Sequence, residues 1–251
     1  MIEILEIVIL VFVGLAAGVI NTLAGGGSAF TLPVLIFLGL PPSVANGTNR
    51  IVIVIQSLIG ALGYKSKGIS TFPFNVYLGI SASFGAVIGA LIAIEIDEKL
   101  FNRILSIVII TIGVLIITNN KKLDSKLIEK INGKYLFFSL IIFFFLGIYG
   151  GFLNAGIGIV IMFILNRYNG LDLVKTNATK VVLITIYSSI ALIVFAYNNS
   201  INWEKGLWMA LGTIYGAWWS SRWSVKKGDK VIKIVMLIMI IIIAIKLWFF
   251  N

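Results

Sequence analysis

Two glycine-rich stretches interrupt otherwise apolar sequence and have the residue types that bind a ligand through the backbone. The first runs from Ala24 to Ser28 with three consecutive glycines, and the second runs from Asn154 to Gly158. Consecutive glycines and a nearby proline, Pro33, weaken a helix. A broken helix presents free N–H groups and a positive dipole end, which favours an anion. A glycine-rich helix crossing is the alternative interpretation.

Polar residues follow each glycine-rich stretch and include a basic residue near the start of an apolar segment. Arg50 and Lys180 stand at almost equivalent positions, and a charge inside a membrane usually marks a substrate path. The guanidinium fork of Arg50 suits oxyanions, so Arg50→Ala should weaken binding more than substitution of the loop residue Lys121. The alternative is that both cations snorkel to the interface. The polar Gln56 fits a binding site and an interhelical hydrogen bond equally well. The candidate substrate-binding residues are Asn21, Gly25, Gly26, Gly27, Ser28, Asn46, Thr48, Asn49, Arg50, Gln56, Asn154, Gly156, Gly158, Asn177, Thr179 and Lys180.

The elements that position these residues are long apolar segments. Of the 251 residues, 59% are hydrophobic and 12% are charged, whereas soluble domains are about 45–50% apolar and about a quarter charged. Apolar runs of about 18 residues or more indicate membrane spans. The chain is therefore predicted to be an all-α polytopic membrane protein. Its apolar segments are 2–22, 27–40, 45–63, 73–95, 101–118, 134–153, 157–168, 175–197, 204–222 and 231–250.

Composition also excludes several classes of site. The chain has no Cys and no His, which removes thiolate metal sites, disulfides and the commonest general base. No metal ion and no cofactor are expected. The net charge of +10 is explained by basic loops between spans rather than by nucleic acid. The acidic N-terminus does not resemble a signal peptide, so the first segment is expected to be retained.

An internal repeat divides the chain into two halves. At an offset of 131, Gly25 aligns with Gly156 and Asn46 with Asn177, without gaps across the aligned region. Glycines four residues apart, at 85 and 89 and at 212 and 216, are predicted to allow close helix packing. The predicted organisation is a first transmembrane repeat at 1–118, a cytoplasmic linker at 119–133 and a second repeat at 134–251.

The distribution of Lys and Arg favours two inverted repeats of about five transmembrane segments each. If all five segments of each repeat cross, the loops near 64–72, 119–134, 167–175 and 222–233 share one side and hold most of the basic residues. If the two short segments are re-entrant, the basic residues divide almost evenly. The positive-inside rule favours the first arrangement, with both termini outside the cell membrane. Whether 27–40 and 157–168 cross completely stays open.

The order and spacing of these residues resemble the sulfite exporter TauE/SafE family, also called the toluene-sulfonate uptake permease family. The residues that carry the resemblance are Ala24 to Ser28, Pro33, Gly39, Pro41, Ala45, Gly47, Thr48, Asn49, Gly60, Tyr64, Gly68, Gly147, Gly150, Gly151, Gly156, Gly158, Thr179, Asn202 and Trp203. The family implies a multi-span permease for small sulfur-containing anions such as sulfite, thiosulfate or sulfonates. The chain departs from the family pattern at Asn154, Ile157, Ile159 and Ile164, which bears on substrate choice.

The expected function is therefore transport of a small sulfur-containing anion by a secondary transporter with alternating access. An anion channel or a non-transporting membrane assembly partner are the alternatives. An intramembrane enzyme is disfavoured because no acid pair lies within a span, although a Ser- or Lys-based mechanism is not excluded. The expected partners are the anion and the lipid bilayer, without nucleic acid. Homo-oligomer formation, the exact substrate, the transport direction and the coupling ion stay open.

Overall fold

A computed structural model of the chain describes residues 3–118 and 128–227. All of the regular secondary structure in these ranges is α-helical. The helices are α1 (Ile4–Leu23), α2 (Ser28–Phe37), α3 (Pro42–Lys65), α4 (Phe74–Glu95), α5 (Glu98–Thr118), α6 (Lys134–Phe152), α7 (Ile157–Arg167), α8 (Leu173–Tyr197) and α9 (Trp203–Lys227). Each matches a predicted apolar segment to within a few residues at most ends. The predicted segment 231–250 and most of the predicted linker lie outside the described residues.

Helix length and composition support a multi-pass membrane protein. Within the described ranges, α1, α4, α6 and α8 are long and apolar enough to cross a membrane. The helices α2 and α7 are apolar but contain only 10 and 11 residues, which corresponds to about 15 Å of helix at 1.5 Å per residue. The two short predicted segments are therefore short helices.

Glycine contacts join α1 to α9 and α4 to α6. A Cβ atom on Gly18 would lie 2.7 Å from the backbone oxygen of Thr213, and a Cβ on Gly89 would lie 2.7 Å from the backbone nitrogen of Phe152. Only glycine permits helix backbones to approach this closely, as the four-residue spacing predicts. In both pairs contacting residue numbers rise together, so the paired helices are parallel.

The centre of the bundle is formed by α3 and α8, which run antiparallel to each other. Gly47 near the start of α3 faces Ser200 just after the end of α8, and Gly60 faces Val181 near the start of α8. The helix α3 runs parallel to α9, and α8 runs parallel to α4. The backbone N–H of Asn202 donates to Thr48 Oγ1 at 2.8 Å. Thus α1, α3 and α9 run in one direction and α4, α6 and α8 in the other.

The short helices turn back along the helices that precede them. Lys205 Nζ donates to the carbonyl oxygen of Leu38, at the end of α2, at 2.7 Å and forms an ion pair with Glu6 in the first turn of α1. In the second half, Asn169 beyond the end of α7 donates to Ser139 in α6 at 2.8 Å. Each short helix therefore ends beside the start of the preceding long helix.

Candidate functional site

The polypeptide breaks its helices at the two predicted glycine-rich stretches. The first break separates α1 from α2, and the second separates α6 from α7. Gly25 has φ +81° and Gly156 has φ +67°, a left-handed conformation that costs other L-residues energy. These two glycines align at the repeat offset of 131. The sequence-based prediction of a broken helix in each half is confirmed.

The two breaks lie against each other inside the bundle. A Cβ atom on Gly25 would overlap the backbone of Gly158, so the two backbone segments touch without intervening side chains. Asn154 Nδ2 donates to Ser28 Oγ at 3.2 Å, and Tyr187 Oη donates to Asn154 Oδ1 at 2.6 Å. All five residues are buried. The structure therefore brings Gly25, Ser28, Asn154 and Gly158 together.

Several buried amide groups at the breaks have no acceptor among the described residues. Gly27 N–H donates to Asn21 Oδ1 at 3.3 Å. Within the described part of the chain, however, no acceptor contacts the N–H groups of Ser28, Ile157 or Gly158. Buried N–H groups are almost always paired, because leaving one unpaired costs about as much as a lost hydrogen bond. These N–H groups belong to the first residues of α2 and α7, where the helix dipole is positive. The arrangement therefore suits an acceptor with negative charge.

Arg50 is fully buried and contacts the last turn of α6. Its Nη1 donates to the carbonyl oxygen of Gly150 at 2.5 Å, and its Nη2 donates to that of Gly151 at 2.6 Å and to Asn46 Oδ1 at 3.0 Å. Asn46 Nδ2 in turn donates to the carbonyl oxygen of Phe152 at 2.6 Å. A cation at a helix C-terminus satisfies free carbonyl groups and opposes the negative dipole end.

Lys180 makes the corresponding contacts at the end of α1. Its Nζ donates to the carbonyl oxygens of Asn21 and Thr22 at 3.0 and 3.1 Å, and to Asn177 Oδ1 at 2.6 Å. Asn177 Nδ2 donates to the carbonyl oxygen of Leu23 at 3.1 Å. Each half of the chain therefore supplies a cation and an asparagine that cap the first long helix of the other half.

The burial of the two cations bears on the alternative that they snorkel to the membrane interface. Both side chains have 0% exposure, so neither snorkels to the surface and that alternative is wrong. No carboxylate in the described ranges pairs with either cation, and their hydrogen-bond partners are uncharged. The prediction that Arg50 and Lys180 contact an anion stays a prediction.

The remaining candidates divide into residues near the breaks and residues that hold helices together. Asn21 Nδ2 donates to Gln56 Oε1 at 2.6 Å, and Gln56 Nε2 donates to Thr22 Oγ1 at 3.2 Å, so Gln56 secures the end of α1. Thr48 and Thr179 instead accept or share hydrogen bonds with Asn202 and Thr71. Both threonines therefore join their own helices, α3 and α8, to the connections that precede α9 and α4, and lie outside the contact between the breaks.

Asn49 combines one satisfied and one free group. Its Oδ1 accepts from Thr31 Oγ1 at 2.7 Å, whereas its Nδ2 and the Nε of Arg50 are buried and have no partner among the described residues. Sequence reasoning missed Thr31 and Tyr187. Tyr187 had a signal, because it aligns with Gln56 at the offset of 131.

The described residues contain no group of three or more His, Cys, Asp and Glu side chains that could hold a metal ion. The polar atoms at the breaks are amides, hydroxyls and cations. They are chemically suited to bind and orient an anion.

Broken helices that meet within a bundle of membrane-length helices are typical of membrane transporters. Comparison of the sequence with models of known families identifies this one. The chain belongs to the sulfite exporter TauE/SafE family, whose model matches residues 10–247.

Curated relatives are similar over almost their whole lengths. A "probable membrane transporter protein" of Haemophilus influenzae is 29% identical over 231 residues, covering 92% of this chain and 90% of the relative. The "probable membrane transporter protein ORF9" of Sinorhizobium is 29% identical, covering 92% and 88%. The "probable membrane transporter protein YfcA" of Escherichia coli K12 is 27% identical, covering 95% and 88%. No solved structure matches significantly.

Proposed function

We propose that this protein transports a small sulfur-containing anion, such as sulfite, thiosulfate or an organosulfonate, across the cell membrane. The observation that carries the proposal is the pair of buried helix N-termini, where the N–H groups of Ser28, Ile157 and Gly158 have no acceptor among the described residues. An oxyanion supplies several acceptor atoms and a negative charge, and helix N-termini bind such groups in many proteins. The sulfur assignment rests on the family, because sulfite, sulfonate and other small oxyanions present similar oxygen atoms.

Charge supports an anion over a cation. Arg50 and Lys180 bring positive charge into the bundle, and among the described residues they face helix C-termini and amide oxygens rather than carboxylates. The acids of the described residues stand at helix ends or in connections, as with Glu95, Asp97 and Asp172. A cation substrate would meet this positive potential without a buried carboxylate to bind it. No catalytic step is proposed.

Reciprocal contacts support two inverted repeats. At the offset of 131, the α1–α9 pair corresponds to α6–α4, and α3 corresponds to α8. Corresponding helices run in opposite directions. The correspondence between the two halves also exchanges the capping contact of Arg50 on α6 with that of Lys180 on α1. We propose that this pseudo-two-fold arrangement supports alternating access, because each half can adopt the conformation of the other.

The positive-inside bias orients the proposed transporter. The ends of α3, α7 and α9 and the starts of α4, α6 and α8 carry most of the basic residues of the described ranges and are assigned to the cytoplasm. Lys180 then lies toward the cytoplasmic end of the bundle, and Arg50 toward the outer end. Both chain termini are assigned to the outside.

Flux into proteoliposomes tests the function. Labelled sulfite, thiosulfate and a small sulfonate are each supplied with and without a pH gradient or membrane potential. Saturable uptake of one anion that is absent from empty vesicles is expected. Currents far above carrier turnover would favour the channel, and no flux with a broad anion panel would favour the assembly partner.

Asn49→Asp is the sharpest variant for this test. The new carboxylate keeps an acceptor for Thr31 and removes a donor that has no partner, so the fold loses no hydrogen bond. At an effective dielectric constant of about 20, two like unit charges about 6 Å apart repel by about 3 kcal/mol, or about 100-fold in Kd. A clear loss of affinity is therefore expected if the anion binds next to Asn49.

The matched control is Asn75→Asp. Asn75 is also buried, in the first turn of α4, and no described hydrogen bond joins its side chain to either break. We expect Asn75→Asp to retain uptake of the anion and Asn49→Asp to lose it, with both proteins folded. Equal uptake by the two variants would remove the anion from the vicinity of Asn49.

A further inference from the structure

The ammonium group of Lys180 lies where three oxygen atoms converge at the end of α1. These are the carbonyl oxygens of Asn21 and Thr22 and the side-chain oxygen of Asn177, at 3.0, 3.1 and 2.6 Å. Met162 Sδ lies 3.6 Å away. We call these three oxygens and the sulfur atom the α1 cage. The side chain that fills it is fully buried.

Oxygen atoms of this kind are ligands for a monovalent cation. In transporters built from broken helices, carbonyl groups at the C-terminal ends of half-helices coordinate Na⁺. The α1 cage has that composition, because two of its oxygens are backbone carbonyls of the last turn of α1. Here the cage already contains a cation, which is covalently attached to α8.

The end of α6 has an equivalent arrangement. The guanidinium of Arg50 reaches the carbonyl oxygens of Gly150 and Gly151 and the side-chain oxygen of Asn46. Asn46 aligns with Asn177 at the repeat offset of 131. The oxygen atoms around Arg50 therefore correspond to those around Lys180 in the other half of the chain. Both helix ends at the breaks are therefore occupied by tethered cations.

We infer that the side chains of Lys180 and Arg50 take the place of bound monovalent cations, so that the anion site is complete without Na⁺ or K⁺. This inference rests on the proposed anion transport and names its ion requirement. A tethered cation neutralises the helix end without a second ligand, since the side chain is part of the fold. Removing the Lys180 ammonium should leave an α1 cage that binds a small monovalent cation.

Ion replacement in the unchanged protein is the first test. Apparent melting temperature and anion flux are measured with Na⁺, with K⁺ and with the bulky N-methylglucamine cation at equal ionic strength. We expect no difference among the three. A saturable requirement of flux or thermal stability for Na⁺ or K⁺ would overturn the inference.

Two substitutions at position 180 test the cage itself. Lys180→Ala empties it and should lower the melting temperature by several degrees. Methylammonium, which reproduces the end of the lysine side chain, and Na⁺ should raise the melting temperature again in a saturable manner. N-methylglucamine should not. Lys180→Met keeps most of the side-chain volume, so it should be destabilised without responding to cations.

The matched control is Lys67→Ala, because Lys67 is exposed after α3 and its loss empties no cage. A folded Lys180→Ala protein that no small cation stabilises would overturn the inference. If Lys180→Ala does not fold, ion replacement in the unchanged protein decides. The melting temperature is measured without an anion. If small cations stabilise Lys180→Ala but the unchanged protein shows no anion flux, the proposed function is refuted while the cation cage is supported.

Discussion

Replacing Gly25 by alanine tests whether the two helix breaks touch. Gly25 has φ +81°, and a Cβ atom there would overlap Gly158. The left-handed conformation costs an alanine about 1–2 kcal/mol, and overpacking costs about 1–3 kcal/mol more. The expected loss of folding free energy is therefore about 2–5 kcal/mol.

Gly39 is a matched control for the backbone conformation. Its φ is +84°, and a Cβ atom there would meet nothing within 4 Å. Gly39→Ala should therefore lose only about 1–2 kcal/mol. The difference between the two variants isolates the overlap, about 1–3 kcal/mol.

Gly158→Ala approaches the same contact from the other side. The new Cβ would lie 2.6 Å from the carbonyl oxygen of Gly25 and 2.9 Å from the carbonyl carbon of Gly25. Gly158 carries no positive φ, and alanine gains up to about 1 kcal/mol of helix propensity. The overlap costs about 1–3 kcal/mol, so we expect a net loss of stability that is smaller than for Gly25→Ala. A large loss of anion flux should accompany it, because the breaks must separate.

The assays are thermal unfolding of the purified variants and anion flux in proteoliposomes. One kcal/mol corresponds to about 2–4 °C in melting temperature for a chain of this size. Gly25→Ala should melt clearly below Gly39→Ala, and only Gly39→Ala should retain flux. Equal melting temperatures for the two variants would refute the contact between the breaks.

Two further predictions use contacts elsewhere in the bundle. Tyr187→Phe removes the hydrogen bond to Asn154, and Tyr64→Phe removes one of 2.9 Å to the side chain of a serine in α9; both should lose about 0.5–1.5 kcal/mol of stability. Only Tyr187→Phe should also reduce anion flux, and a flux defect in both would show that destabilisation alone is responsible. Cysteines introduced at Ser66 and Asn198, at opposite ends of the antiparallel α3–α8 pair, should react with impermeant reagents from the cytoplasmic and outer sides respectively. Labelling of both from one side would contradict the proposed topology.

The helices and their breaks could be predicted because their signals are local. Apolar runs set the segment ends, and the glycines at 25 and 156 marked where the helices stop. The repeat offset also places Arg50 one residue from the position that corresponds to Lys180. These features depend on composition and spacing, which the sequence displays directly.

The partners of the buried cations could not be predicted, because they depend on packing between distant helices. Nothing near Arg50 in sequence indicates that its guanidinium ends on Gly150 and Gly151. The glycine spacing in α9 predicted a close helix neighbour without identifying α1. Tyr187 looked like one more aromatic residue in an apolar run, although its alignment with Gln56 pointed to a polar role.

The pairing of α1 with α9 and of α4 with α6 has a consequence for how the protein is made. In each pair the two helices come from different halves, and the glycine-lined face of α1 meets α9, the last described helix. During synthesis α1 enters the bilayer long before α9 has been made. Until then, the glycine-lined face of α1 contacts lipid or an assembly factor. The sequence separation makes this pairing a late event. Emergence of α9 from the ribosome, rather than completion of the first half, therefore sets the earliest time at which α1 can pair with α9.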